Sequence, residues 1–376
     1  MNTMKHNWEY KKLGEVCEVI NGLWTGKRPP FVKVGVIRNT NFTKDCTLDD
    51  SDIFYTDVEE KAYKKKKLLK GDIIIEKSGG SEKQPVGRPV LFDLEGEFSF
   101  SNFTSVLRIN AEELLPSFLH KALIKIYFQG ETRPLQSKTT GIHNLDFNKY
   151  LQFIIPLPPL PIQQKIVAEL DKVCLIIEKK KQQLKELDKL AQAIFYDMFG
   201  DPVENEKGWE VKKWEDVFIT KTGKLNANAM VVGGKYPFFT CSKESYFIDN
   251  YAFDCEALLL AGNNATANYD VKHYKGKFNA YQRTYVLTLS IEGCYSFFKT
   301  VLESKLSILQ EQSIGGMTKY LTLGILNNLS FIVPPLSLQQ SFAAKIEAIE
   351  KQKELISRSI KEAQTLFDER MDYWFD

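Results

Sequence analysis

The chain has 376 residues, with 50 Lys and Arg against 48 Asp and Glu, a net charge of +2 and a mean hydropathy of -0.27. That length exceeds one ordinary hydrophobic core, so two or more domains are expected, and 43% hydrophobic with 26% charged residues is globular rather than disordered or fibrous composition. No apolar run approaches the roughly 18 residues that cross a bilayer, the opening MNTMKHNWEY has no signal-peptide core, and six scattered cysteines without a CxxC pair read as free thiols, so the expectations are a cytoplasmic location, no membrane and no metal site.

In chain order, the word WEYKKLGEV at 8–16 opens the first half. GDIIIEK (71–77) and FTSVLRI (103–109) read as strands, LPSFLHKALIKIYFQ (115–129) as an amphipathic helix, and FIIP (153–156) as a further strand. PLPPLPIQQKI (156–166) then leads into a long charged-and-apolar run. The second half repeats this order. WEVKKWEDV stands at 209–217, CEALLL at 255–260, a strand YVLTLSI at 285–291, a helix YSFFKTVLESKLSI at 295–308, LSFIVP at 329–334, and PPLSLQQSF at 334–342 before a second run. KGDIII (70–75) and CEALLL each precede a small-residue turn, SGG (78–80) and GNN (262–264). A repeat of this kind means two equivalent structural units.

Each run carries apolar residues at alternating spacings of three and four: Ile166, Leu170, Val173, Ile177, Leu184, Leu187, Ala191, Ile194 and Met198 in the first, and Phe342, Ile346, Ile349, Ile356, Ile360, Ala363, Phe367 and Trp374 in the second. A sustained 3.5-residue period predicts a coiled-coil seam, centred on Leu170, Val173, Ile177, Leu184, Leu187, Ile346, Ile349, Ile356, Ile360 and Phe367. Lysines interrupt it at different heptads, Lys180 and Lys353, which helps fix the register of an antiparallel pair. A helix of about 36 residues is roughly 54 Å long. The prolines mark a strand-to-helix joint, with Pro161 in a first helical turn and Ser337 a candidate cap. The expected fold is α+β: two pseudo-two-fold-related mixed α/β domains separated by two long antiparallel coiled-coil helices. The expected divisions are 1–157, 158–200, 201–333 and 334–376.

Enzymatic motifs fail on their chemistry. KRPPF (27–31) is similar to the Asn/Asp-Pro-Pro-Tyr/Phe turn of amino-methyltransferases, but Arg28 has only donors where an acceptor for the target amine is needed. Asp72, Glu76 and Lys77 are faintly nuclease-like, yet strand alternation turns Glu76 and Lys77 to opposite faces. A buried strand ending in solvated charges is the expectation there. His6, His120, His143 and His273 are too dispersed for a triad, and no Walker loop is present.

Polar, basic and aromatic clusters remain. Net charge is +3 over 1–155, +2 over 206–333 and -2 over 334–376, so an anion-binding surface belongs outside the runs. In the first half Lys64, Lys65, Lys66, Lys67, Lys77, Ser78, Lys83 and Arg88 surround the turn after the strand, and Lys138, Thr139 and Thr140 follow. In the second half the equivalents are Asn263, Asn264, Thr266, Lys272, His273, Tyr281, Gln282 and Arg283. Asn and Gln pair with adenine and Arg with guanine, while Lys and Thr hold phosphates.

Residues 153–171 (FIIPLPPLPIQQKIVAELD), 193–202 (AIFYDMFGDP) leading into GWEVKKWEDV, and 331–350 (FIVPPLSLQQSFAAKIEAIE) resemble the specificity subunit of type I restriction–modification systems. Gln163 and Gln339 stand where that family often has an acidic residue before the glutamine, a surface change expected to matter little. The resemblance implies target-recognition domains at 1–157 and 201–333, and spacer helices at 158–200 and 334–376. It implies no catalysis in this chain and no cofactor of its own, with S-adenosylmethionine, ATP and Mg bound by partner subunits. The implied partners are double-stranded DNA, two methyltransferase subunits and, through them, the restriction and motor subunits. Each domain would read one half of an asymmetric, two-part target while the helices set the gap. The alternative is a coiled-coil scaffold or a stand-alone DNA-binding regulator, which would act without methyltransferase partners.

Overall fold

The computed structural model describes residues 7–23, 26, 28–139 and 141–375. His6 and the opening residues, Lys27 of KRPPF and Thr140 lie outside them. The chain divides into two compact units, Met1–Lys179 with Ile360–Asp376, and Lys180–Ser359.

The repeated words of the sequence are ladder partners. In the first unit Glu9–Lys12 pairs antiparallel with Ile154–Leu157, so WEYKK lies along FIIP. In the second, Glu210–Lys213 pairs in the same way with Ser330–Val333. A one-turn helix follows each time, Leu13–Val16 and Trp214–Val217. Each is capped by an acid three residues on: the Lys12 amide donates to Glu15 and the Lys213 amide to Asp216, both at 3.1 Å.

The first unit continues with a four-stranded antiparallel sheet in the order Cys17–Asn21, Thr104–Ile109, Ile73–Glu76, Pro89–Leu91. Ile73, Ile74 and Ile75 are fully buried, which is why three isoleucines in succession suit the interior strand. A second sheet sets Phe31–Ile37 between Phe54–Glu59, antiparallel, and Phe98–Phe100, parallel. The helix Pro116–Phe128 buries Phe118, Leu119 and Leu123 with Leu107, Tyr150 and Ile155.

The second unit sets six strands in the order Phe218–Thr222, Thr284–Leu289, Phe253–Ala261, Val271–Ala280, Tyr236–Phe239, Tyr246–Ile248. The first three repeat the first three of the other unit. Phe297, Phe298, Val301 and Leu302 cover this sheet. The single helix expected over 295–308 is instead two, Tyr295–Ser304 and Leu306–Gln312. The break falls at Lys305, whose ammonium is drawn inward to the Pro202 carbonyl at 3.3 Å.

The joints lead into two 40-residue helices, Leu160–Phe199 and Leu336–Phe375, each about 60 Å long at 1.5 Å per residue. Pro161 lies in the first turn of the first helix. Ser337 is not a cap: the Pro335 carbonyl already accepts from the Leu338 amide, which leaves Ser337 inside the turn. Leu170, Val173, Ile177 and Ile349 are buried, and Leu184, Leu187, Ile346, Ile356, Ile360 and Phe367 half-buried, while the residues beside them in sequence are mostly exposed. In the first unit Ile166, Leu170, Met371 and Trp374 share one core, and Glu169 pairs with Arg370. In the second unit Asp188 meets Lys353 at 2.8 Å, and Phe195 and Phe199 meet Phe342. As the first helix advances from Asp188 to Phe199, the second recedes from Lys353 to Phe342, so the pair is antiparallel.

Gln163 and Gln339 are not surface residues. They are 0% and 1% exposed, and both are hydrogen-bonded at their joints.

Candidate nucleic-acid interface

Each unit folds the turn after its central strand against a later hairpin. In the first unit Ser78–Gly79 pairs with His143–Asn144, and Ile142–Leu145 pairs in turn with Gln136–Thr139. In the second, Asn263–Asn264 pairs with Lys319–Tyr320, and Ile314 bridges back to Tyr320. Residues about 60 positions apart in sequence are therefore neighbours in both units.

In the first unit, Lys66 and Lys77 converge on residues 21–22. Lys77 Nζ donates to Asn21 Oδ1 at 3.3 Å and Lys66 Nζ to the Gly22 carbonyl at 2.5 Å. Burial, and secondly the charge of Lys77, push the Lys66 ammonium below its ordinary pKa. Lys67 pairs with Glu97 and Lys64 with Glu60, at 2.8 and 2.7 Å, and Lys65 is exposed. Ser78 is buried and its hydroxyl donates to Asn144 Oδ1 at 2.7 Å. Lys138 and Thr139 lie on the outer hairpin strand opposite His143 and Ile142.

Arg88 is 4% exposed. Its guanidinium pairs with Glu76 at 3.1 Å and donates to the carbonyls of Phe42 and Thr43 at 3.0 and 3.1 Å. Burial raises the Glu76 carboxyl above its ordinary pKa against the pull of Arg88. The strand 73–76 is thus flanked by ion pairs, Glu76 with Arg88 buried and Asp72 with Arg108 half-buried, not by solvated charges. Arg88 holds the strands; the exposed cations beside it are Lys44, Lys83 and Arg133, which with Tyr127 and Phe128 line a cleft of about 410 Å³. Lys83 also lines an open cleft of about 380 Å³ with Gly141 and His143, which brings the 80–83 turn to the hairpin tip.

In the second unit Asn264 Oδ1 accepts from the amide and hydroxyl of Thr266 at 2.8 and 2.9 Å, fixing the turn. The Gly262 amide donates to the Arg283 carbonyl, and the Leu321 amide to Gly262. The Arg283 guanidinium lies 5.6 Å over the Tyr320 ring, and Gln282 Nε2 donates to Asn226 Oδ1 at 2.7 Å. Asn263, Asn264, Thr266, Gln282, Arg283 and Tyr320 therefore form one cluster, and Tyr281 joins it through its bridge to Leu225. Strand alternation separates the other two: Lys272 donates to the Ser242 carbonyl, while His273 faces Glu256 at 3.0 Å and stacks on Tyr295.

Sequence reasoning missed Asn21, Asn144, Asn226 and Tyr320, because each reaches its cluster only through tertiary pairing. One signal was within reach. Gly22 and Gly223 stand at the same offset as the WEYKK words, and a Cβ on either would fall 2.0 Å from the Ser101 carbonyl oxygen or 1.8 Å from that of Ala280. Only glycine lets the backbones approach so closely at the base of each cluster.

The clusters offer carboxamides, a stacked guanidinium and exposed lysines. These groups pair with base edges and phosphates. Among the described residues no group of three His, Cys, Asp or Glu is placed to hold a metal, and no helix is long and apolar enough to cross a membrane.

The profile of the type I restriction modification DNA specificity domain matches residues 5–189 and 206–365. The chain is similar to the type I restriction enzyme EcoDI specificity subunit of Escherichia coli, 36% identical over 141 residues, 38% of this chain and 31% of that protein. It is also similar to the putative type I restriction enzyme MjaX specificity subunit of Methanocaldococcus jannaschii, 22% identical over 245 residues, 63% of this chain and 57% of that one. The matches thus span less than two thirds of these relatives' length. Among solved structures, the S subunit of a type I restriction-modification system from M. genitalium has a TM-score of 0.57 at 14% identity, covering 100% of this chain and 97% of the other. A chain from an assembly study of the type I R-M system has a TM-score of 0.54 at 18% identity, covering 97% and 96%. At such identities the likeness is one of fold.

Proposed function

The chain belongs to the type I restriction modification DNA specificity family, and from that premise we propose that it is the DNA-reading subunit of a type I restriction–modification complex. Each unit reads one half of an asymmetric, two-part target. The long helices set the unread gap and dock two methyltransferase subunits, through which the restriction and motor subunits join. The chain performs no chemistry itself; S-adenosylmethionine, ATP and Mg belong to the partners, and the complex works in the cytoplasm.

The observation that carries this reading is the doubled turn-and-hairpin cluster with different side chains in its two copies. Ser78, Asn144 and Lys77 stand in one, Asn263, Asn264, Gln282 and Arg283 in the other. The same scaffold bearing different donors and acceptors suits two readers of different sequences. The near-neutral charge supports shared binding, since phosphate contacts dominate affinity and the partners would supply many of them. Alone, the chain binds DNA weakly on this reading.

The experiment is a genome-wide map of methylated adenines in cells with and without this subunit. The expected result is a single motif of two unlike parts around a fixed gap that vanishes without the subunit. A methylation pattern independent of the subunit overturns the proposal.

A further inference from the structure

The two hairpin tips share a feature that base reading leaves unused. Each tip carries a glycine followed directly by an exposed apolar side chain: Gly141 then Ile142, 41% exposed, and Gly316 then Met317, 95% exposed. A Cβ on Gly141 or Gly316 would meet nothing within 4 Å, so these two glycines stand clear of the other described residues. Gly141 and Gly315 have φ of +84° and +111°, which turns the chain sharply enough to project the next residues outward. The surroundings are mostly polar. Glu82, Lys83 and His143 lie beside the first tip, and Lys319 and the Arg283–Tyr320 stack follow the second, with Ile314 bridging back to Tyr320.

Resting on the function proposed above, we infer that Ile142 and Met317 are wedges, each entering between two stacked base pairs of the half-site its unit reads. An apolar tip ringed mostly by polar groups is too small for an apolar protein surface, which would need a contiguous patch. It does match duplex DNA, where the ring meets phosphates and base edges and the apolar tip meets the faces of the bases. Unbranched Met and branched Ile both serve as such wedges, and partial unstacking bends the duplex onto more protein surface. The step entered would be one that unstacks readily, so it adds specificity without a hydrogen bond to the base.

The test uses the complex assembled with its methyltransferase subunits and target duplexes that carry one abasic site, moved in turn across both half-sites. For the wild type, an abasic site at the wedged step is expected to tighten binding about tenfold, since the cost of unstacking there is already removed. Met317→Ser is expected to bind the intact target about tenfold more weakly and to lose that preference in one half-site only. Met317→Leu should keep both properties, and Ile142→Ser should show the same loss in the other half-site. Tightening at the methylated adenine serves as an internal reference that no variant alters. Identical abasic profiles for wild type and both serine variants, with target binding intact, overturn the wedges. Loss of any preference for the target in the wild type overturns the function on which they rest.

Discussion

Gln163 and Gln339 make the same connection in the two halves of the chain. Gln163 Oε1 accepts from the Leu115 amide at 2.8 Å, and Gln339 Oε1 from the Cys294 amide at 3.1 Å; Leu115 and Cys294 are the residues immediately before the helices Pro116–Phe128 and Tyr295–Ser304. Each glutamine also donates to a proline carbonyl five residues earlier, Pro158 at 2.7 Å and Pro334 at 2.9 Å. A buried carboxamide thus pins the root of each long helix to the start of the helix that covers its sheet.

Replacing either glutamine with leucine leaves a part-buried amide and a buried proline carbonyl unpaired. The expected cost is about 2–4 kcal/mol for each variant, read as a lower urea midpoint in the unit concerned. Glutamate at either site should also destabilise near neutral pH, because its charge would face a proline carbonyl in place of a donated hydrogen bond.

Two neighbouring cations of the first unit should separate by role. Arg88→Ala removes the partner of buried Glu76, with an expected loss of about 3–5 kcal/mol in stability. Lys83→Ala removes an exposed cation, leaves stability within about 0.5 kcal/mol, and lowers the salt slope of DNA binding by the complex by about one. Calorimetry and salt titration distinguish the two.

His120 should make the first unit acid-sensitive. It is 7% exposed, with Nε2 at 3.1 Å from the Cys46 carbonyl, and burial drives its pKa from 6.5 down to about 4. In the folded state the ring stays neutral, while the unfolded chain takes up a proton below 6.5. Stability therefore falls as pH drops from about 6.5, and this contribution levels off below about 4. Between pH 7 and 5 the loss from this group is about 2 kcal/mol. His120→Gln should remove that slope in denaturant titrations at the two pH values.

If the units read separately, exchanging residues 1–157 for the equivalent segment of another family member changes one half of the methylated motif and leaves the other half and the gap as they were. Sequencing the methylated sites reads this directly. A change in both halves contradicts independent readers.

The long helices were legible because a coiled-coil seam is a local code: Leu170, Val173 and Ile177 announce burial by spacing alone, whatever lies across from them. The joints were legible because WEYKK and FIIP recur and are each other's ladder partners. The glutamines were not, since a polar pair in PIQQK has the pattern of a solvated turn and only the folded chain reveals the Leu115 amide it satisfies. Arg88 was misjudged for the same reason. A lone arginine reads as exposed until the pairing of Ile73–Glu76 with Pro89–Leu91 brings Glu76 against it. Inside the clusters, contacts such as Gln282 with Asn226 bridge loops whose pairing no periodicity encodes.

The central claim is that matched helices hold two unlike readers at a set spacing on DNA. Deleting one heptad from the middle of each long helix shortens both by about 10 Å while preserving the 3.5-residue seam. Methylation mapping of this variant complex should return both half-sites unchanged with the gap between them shorter by about three base pairs. An active variant that still methylates at the original gap would contradict the account.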